Sequence, residues 1–256
     1  MKRHEEFGVA DAASLTVQNR SGSVDVRVGS PDRVVVTLDG ADAAGWSVTQ
    51  LGSAVTVEPG SGLRGRVRAM RVLIDVPAGS GIDVKSASAS VALSGALGSA
   101  RVKSASGDVR VDSATRLEAD TASGDLGAVT VEAGASCRTA SGDVDLGRIG
   151  GRLTVSTASG TVRVGSAADD VAIGSASGDV RVDRFDGAAI NVKSISGDVS
   201  LGLPAGIRVD PDLVTLSGRT RLPEPSRSAG SPDRRVVRVG LRTVSGDITI
   251  RRIDAC

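Results

Sequence analysis

From residue 81 onward the apolar positions come in pairs split by one polar residue, and the pairs recur beside a repeated Ser-Gly-Asp tripeptide. After the tripeptides stand Val109/Val111, Leu126/Ala128, Val144/Leu146, Val162/Val164, Val180/Val182, Val199/Leu201 and Ile248/Ile250. Before them stand Ile82/Val84, Ala100/Val102, Leu117/Ala119, Ala135/Cys137, Leu153/Val155, Val171/Ile173 and Ile190/Val192. Alternation with period two places each pair on one face of an extended strand. The pattern predicts two short strands per repeat, both turned toward a common core.

The tripeptide and its variants begin at Ser88, Ser106, Ser123, Ser141, Ser159, Ser177, Ser196, Ser217 and Ser245, with spacings of 18, 17, 18, 18, 18, 19, 21 and 28. A short, nearly constant period marks a stack of coils, each burying its apolar side against its neighbours. Equivalent residues of successive coils then lie about 4.8 Å apart in parallel sheets. The expected fold is all-β: a single-stranded parallel β-solenoid, or β-helix, whose coils repeat every 18 residues and become irregular at both ends. The glycine of the tripeptide permits a backbone closed to other residues, and its serine and aspartate can bond bared turn amides, so the motif reads as a corner. Just before each corner come Ala105, Ala122, Ala140, Ala158, Ala176, Ile195, Leu216 and Val244, each preceded by a hydroxyl such as Ser104, Thr121, Thr139, Thr157, Ser175, Ser194, Thr215 or Thr243. The expectation is an inward alanine column beside an outward hydroxyl ladder.

The stretch VPAGSGIDVKSASASVALSG (Val76 to Gly95), the TASGDV corners, SLGLPAGIRVD (Ser200 to Asp210) and RTVSGDITIRR (Arg242 to Arg252) resemble the bacterial putative adhesin family, a β-solenoid domain of unknown function common in actinobacteria. The resemblance spans nearly the whole chain. It implies a repetitive β domain found near envelope-stress or transcription-regulation genes, and it brings no catalytic residues with it.

One domain is expected over residues 1–256: irregular N-terminal coils or a cap over 1–80, regular repeats over 81–203, and C-terminal coils over 204–256 with a mobile surface loop at 221–235. The clearest early strands are SLTVQNRSGSVDVRV, DRVVVTLDG and MRVLIDVPAG, and NRSGSVDVRV already looks like a corner with its following strand. A separate small β domain is the alternative for this region. The one tryptophan, Trp46, reads as a plug over the end of the core rather than a ligand platform.

Composition narrows the function classes. With two Phe, one Trp, no Tyr and 33 Gly, the core rests on Val, Leu, Ile and Ala, which suits a thin regular stack. Interspersed charges, 31 basic and 30 acidic for a net +1, leave no footprint for nucleic acid. Cys137 and Cys256 form no disulfide framework or metal spacing; Cys137 falls in an inward column as an inert buried thiol and Cys256 is terminal and exposed. The start has no signal-peptide core and no stretch spans a membrane, which points to the cytoplasm.

The sharpest candidate for chemistry is the column Asp108, Asp125, Asp143, Asp179, Asp198 and Asp247, which invites a calcium-stiffened β-roll. Such rolls carry Gly-Asp turns on both sides of each coil, whereas the opposite corners here, DSATR and GRIGGR, carry none. Neighbouring carboxylates about 5 Å apart in water repel by only roughly 0.8 kcal/mol, and Arg110, Arg163 and Arg181 stand two residues beyond the tripeptide's third residue to offset it. Turn chemistry is therefore preferred over calcium. An ice- or glycan-binding hydroxyl face is disfavoured by the mixture of Ser and Thr. The sole histidine, His4, is expected in a frayed terminus, which removes His-dependent catalysis and metal sites. The reading is a non-enzymatic interaction or scaffold module with no catalytic or cofactor-binding residues, acting through a protein partner or self-association. The alternatives are an exported surface adhesin or calcium-stiffened roll and, behind them, a carbohydrate-active enzyme.

Overall fold

The computed structural model describes residues 1–63, 68–223 and 235–253. Most of the loop expected at 221–235 and all of Cys256 lie outside these residues. The described chain is all-β, broken only by three-residue 3-10 turns at Ala43–Gly45 and Ser61–Leu63. It divides into two compact units, Met1–Val131 and Glu132–Cys256.

The first unit contains β1 (Lys2–Gly8), β2 (Ser14–Asn19), β3 (Gly22–Val28), β4 (Arg33–Asp39), β5 (Trp46–Leu51), β6 (Ala54–Pro59), β7 (Met70–Val76), β8 (Gly81–Ser86), β9 (Ser90–Ser106) and β10 (Val109–Ser123), and the division falls within β11 (Leu126–Ser141). Its strands form two rows. One runs β5–β6–β2–β8–β9–β10, antiparallel at β5–β6 and parallel thereafter. The other runs β1–β4–β7–β3–β9–β10, antiparallel at β1–β4 and β4–β7. β9 and β10 are long enough to bend through both rows. The NRSGSVDVRV stretch supplies the end of β2 and all of β3, which stack on β8 and β9 as one more coil. β1 reads KRHEEFG, and its charges blunt an edge strand against further pairing.

In the second unit, after the rest of β11, come β12 (Val144–Ile149), β13 (Arg152–Ser159), β14 (Val162–Ala167), β15 (Val171–Ser177), β16 (Val180–Phe185), β17 (Ala189–Ser196), β18 (Val199–Pro204), β19 (Arg208–Ser217), β20 (Thr220–Arg221), β21 (Val236–Ser245) and β22 (Ile248–Ile253). All pairs recorded here are parallel. One row is β11–β13–β15–β17–β21–β19 and the other is β12–β14–β16–β18–β22–β20. The order at the end departs from the chain: the last coil in sequence, β21–β22, lies between the β17–β18 coil and the β19–β20 coil. Composition explains the exchange. β21 offers Val237, Val239 and Leu241 in alternation, all buried, whereas β19 carries Pro211, which lacks an N–H and is tolerated only at a sheet edge.

Every residue of the paired apolar columns is buried. A third inward column, Leu97, Ala114, Val131, Ile149, Ala167, Phe185 and Leu203, follows the second strand of each coil and is also buried. It escapes a search for alternating pairs because each coil contributes one residue, set two to four positions beyond the pair.

The hydroxyl and alanine columns are reversed from expectation. Ser104, Thr121, Thr139, Thr157, Ser175, Ser194 and Thr243 are buried, while Ala105, Ala122, Ala140 and Ala158 are exposed, as are Ile195, Leu216 and Val244. The reason is phase: Thr157 continues the inward alternation of Leu153 and Val155, and period two overrides polarity.

Candidate functional site

The Ser-Gly-Asp corner is where the sequence concentrates polar groups, and it is built from the backbone outward. Gly124, Gly142, Gly160, Gly178, Gly197 and Gly246 all have φ between 126° and 146°, a region closed to residues with a Cβ. The corners are also crowded: a Cβ on Gly178 would come within 2.2 Å of the Gly160 carbonyl oxygen. Backbone joins the corners, as the Gly160 amide donates to the Ser177 carbonyl at 3.1 Å and the Gly178 amide to Ser196 at 3.0 Å. Some of the buried hydroxyls brace the turn: Thr157 Oγ1 donates to the Ser159 carbonyl at 3.1 Å, and Thr243 Oγ1 to Ser245 at 3.3 Å, whereas those of Ser104, Thr121, Thr139 and Ser175 have no partner among the described residues.

The aspartate column engages the same backbone. In the first unit Asp108 accepts the Asp125 amide at 3.2 Å. In the second, Asp143 accepts the Thr161 amide at 2.8 Å, Asp179 that of Asp198 at 2.9 Å, Asp198 that of Asp247 at 2.8 Å, and Asp247 that of Arg219 at 2.8 Å. Each of these carboxylates thus ties its corner to the next one in the stack. Arg110 and Arg163 sit 3.5 and 3.7 Å from Asp108 and Asp143. Arg181 does not join its own corner and bonds Asp183 at 2.6 Å. Among the described residues no group of three or more His, Cys, Asp or Glu side chains is placed to hold a metal ion.

The other candidates are placed as follows. His4 is not frayed: it stands in β1, with Nδ1 3.1 Å from Thr37 Oγ1 and Nε2 3.2 Å from Glu6 Oε1, paired through the backbone to β4. Its hydrogen bond, with that of Arg33, holds the exposed Glu6 carboxyl below its ordinary range. The His4 cluster is exposed, so it offers a substrate no water-excluded site. Cys137 is buried in its inward column. Trp46 is buried in the outermost strand β5, where its carbonyl accepts Arg3 Nη1 at 2.6 Å. Beside it lies an open groove of about 590 Å³ bordered by Asn19, Arg20, Asp42, Glu58 and Lys85, with charges of both signs. No helix of the described chain is long and apolar enough to cross a membrane.

With the corner's polar groups bound between coils, its outward residue is apolar. In the second unit that residue is Ala140, Ala158, Ala176, Ile195, Val244 and Leu216 in spatial order. The sequence identified this column and assigned it the wrong direction.

Comparison with known proteins gives a consistent picture. The family model described as Toastrack DUF4097 matches residues 9–150 and again 70–251. Among solved structures, a putative adhesin from Parabacteroides merdae aligns with 98% of this chain and 96% of its own at 11% identity and a TM-score of 0.48. One from Parabacteroides distasonis aligns with 78% and 96% at 15% identity and 0.46. A third, from Bacteroides fragilis, aligns with 99% and 97% at 16% identity and 0.40. No curated protein matches the sequence.

Proposed function

The chain belongs to the Toastrack DUF4097 family, and from that premise we propose that it is a non-enzymatic interaction module, built as single-stranded parallel β-helix coils that present a regular corner edge to a protein partner. The observation that carries this reading is the fate of the corner. Its amides and carboxylates bind adjoining coils, and its outward column is apolar and grows from Ala158 to Ile195, Val244 and Leu216. An exposed apolar row rimmed by polar residues is the usual mark of a protein-binding surface. Enzymatic readings draw little support from the chemistry: the one histidine is solvent-exposed, and the corner carboxylates are tied to backbone amides and arginines.

The aspartate column belongs, on this reading, to the stack and not to calcium. The test of the partner surface is capture from lysate of the native host with the intact chain and with Ile195→Lys. The intact chain is expected to retain a defined partner that the variant loses, and equal capture by both would remove the corner edge as the binding surface. The adhesin names carried by the similar structures attach a surface location to this reading. Fractionation of host cells tests it, with recovery on the cell surface favouring the adhesin form and recovery in the cytosol rejecting it.

A further inference from the structure

The outermost coil of the second unit, β19–β20, has a surface unlike the coils beneath it. No residue from Ala205 to Pro223 is buried. Yet Val209, Leu213 and Thr215 occupy inward positions whose partners in β21, namely Val237, Leu241 and Thr243, are buried. They are half-covered because, among the described residues, no coil lies on their other side. Six of the nine large apolar side chains exposed among the described residues lie on the last three coils in space: Ile195, Val214, Leu216, Leu222, Val236 and Val244. Leu216 is 79% exposed and Val214 43%. A stack that ends without a polar capping coil leaves the end of its core open to solvent.

The backbone of this edge is equally incomplete. The Arg208 amide donates to the Arg235 carbonyl at 3.0 Å, which turns Arg208 toward β21. Strand alternation then points the amides and carbonyls of Val209, Leu213 and Thr215 away from the stack, together with the Pro211 carbonyl. Among the described residues no strand pairs with these groups, and an edge of this kind templates another strand. The first unit finishes differently, one of its rows closing on β1 with its Lys, Arg, His and Glu side chains.

We propose that the β19–β20 coil is a homodimerisation surface, on which a second copy of this chain lays its own β19 antiparallel about a two-fold axis at Val214. The occupant whose cross-section and half-covered core match this end is another copy of the same end. In this register Leu213 of each copy faces Thr215 of the other, and each such pair exchanges both N–H···O bonds. Val214 meets Val214 at the close-packed non-hydrogen-bonded position. Asp212 falls opposite Leu216 and not opposite another carboxylate, and its charge is already answered by Arg242 at 2.6 Å. Pro211, with no N–H, stops the ladder from running toward the start of β19. A self-complementary contact of this kind closes at two subunits.

The test is sedimentation and light scattering of the full chain over a range of concentrations. The expected result is a transition from one chain mass to two. Val214→Lys and Leu216→Asp place charges where the side chain is already exposed, so the fold should survive, as checked by circular-dichroism melting; the first sets lysine against lysine across the axis and the second sets a carboxylate against Asp212 of the other copy. Each should move the transition to at least about tenfold higher concentration, equivalent to roughly 1.4 kcal/mol. Val129→Lys, at another exposed site (61%) in the first unit, should leave it unmoved. A monomer at every concentration, an open series of larger species, or a dimer indifferent to both substitutions would overturn the proposal. The partner-capture experiment reads the corner edge at Ile195 and fails or succeeds independently of this one.

Discussion

At the residue scale the corner glycine and the buried hydroxyl make opposite demands. Gly178 combines φ of 126° with a neighbouring carbonyl 2.2 Å from any added Cβ, so no rotamer relieves an alanine there. Gly178→Ala is expected to destabilise by about 3 kcal/mol through strain and displaced backbone, measured by denaturant unfolding; a loss below half of that would mean the corner can shift. The hydroxyls differ among themselves. Thr157 has an acceptor in the Ser159 carbonyl, whereas Thr121 Oγ1 is buried with no hydrogen-bond partner among the described residues. Thr157→Val should therefore cost about 1 kcal/mol, while Thr121→Val should be neutral or stabilising by a similar amount. Matching effects from the two would show that the hydroxyls are equivalent in solution. That these side chains point inward was legible in the spacing of Leu153, Val155 and Thr157. Polarity misled, because a single short hydroxyl costs little to bury beside the apolar pairs that set the strand's phase, whether it bonds its own turn as Thr157 does or finds no partner as Thr121 does.

At the element scale the sequence carried the strands of the regular coils and their register, since paired apolar residues at a constant period leave few alternatives. It carried less of the third inward column, whose single residues have no alternation to reveal them. Phe185, one of the two Phe of the chain, stands there fully buried, pairs in register with Ala167, and lies close enough to Gly187 to crowd any Cβ on it. Phe185→Ala should cost about 3–5 kcal/mol by leaving a cavity the rigid coils cannot collapse; a cost near 1 kcal/mol would mean the column is loosely packed. The exchange of β19–β20 with β21–β22 was not legible at all. It depends on a competition between two distant segments for one buried place, and the losing segment is identified only by Pro211 once an edge is known to exist.

At the scale of the whole molecule the balance of 31 basic and 30 acidic residues bears on the calcium question. Calcium stiffens a roll when carboxylates from adjoining turns would otherwise face one another with no counter-charge or donor. Here the column already has both: amides reach Asp143, Asp179, Asp198 and Asp247 at 2.8–2.9 Å, and Arg163 and Arg221 approach two of them. With these donors in place, a cation entering the column would gain less than it would from uncompensated carboxylates. The melting temperature should accordingly be the same in millimolar calcium and in excess chelator. The aspartate's role in the stack gives the complementary measurement. Asp198→Asn keeps an oxygen for the Asp247 amide and should lose little stability, whereas Asp198→Ala should lose roughly 1–2 kcal/mol. A calcium site would invert that outcome, because the amide form weakens cation binding almost as alanine does. A calcium-dependent rise in melting temperature abolished equally by both substitutions would therefore replace stacking with metal binding as the reason the tripeptide recurs.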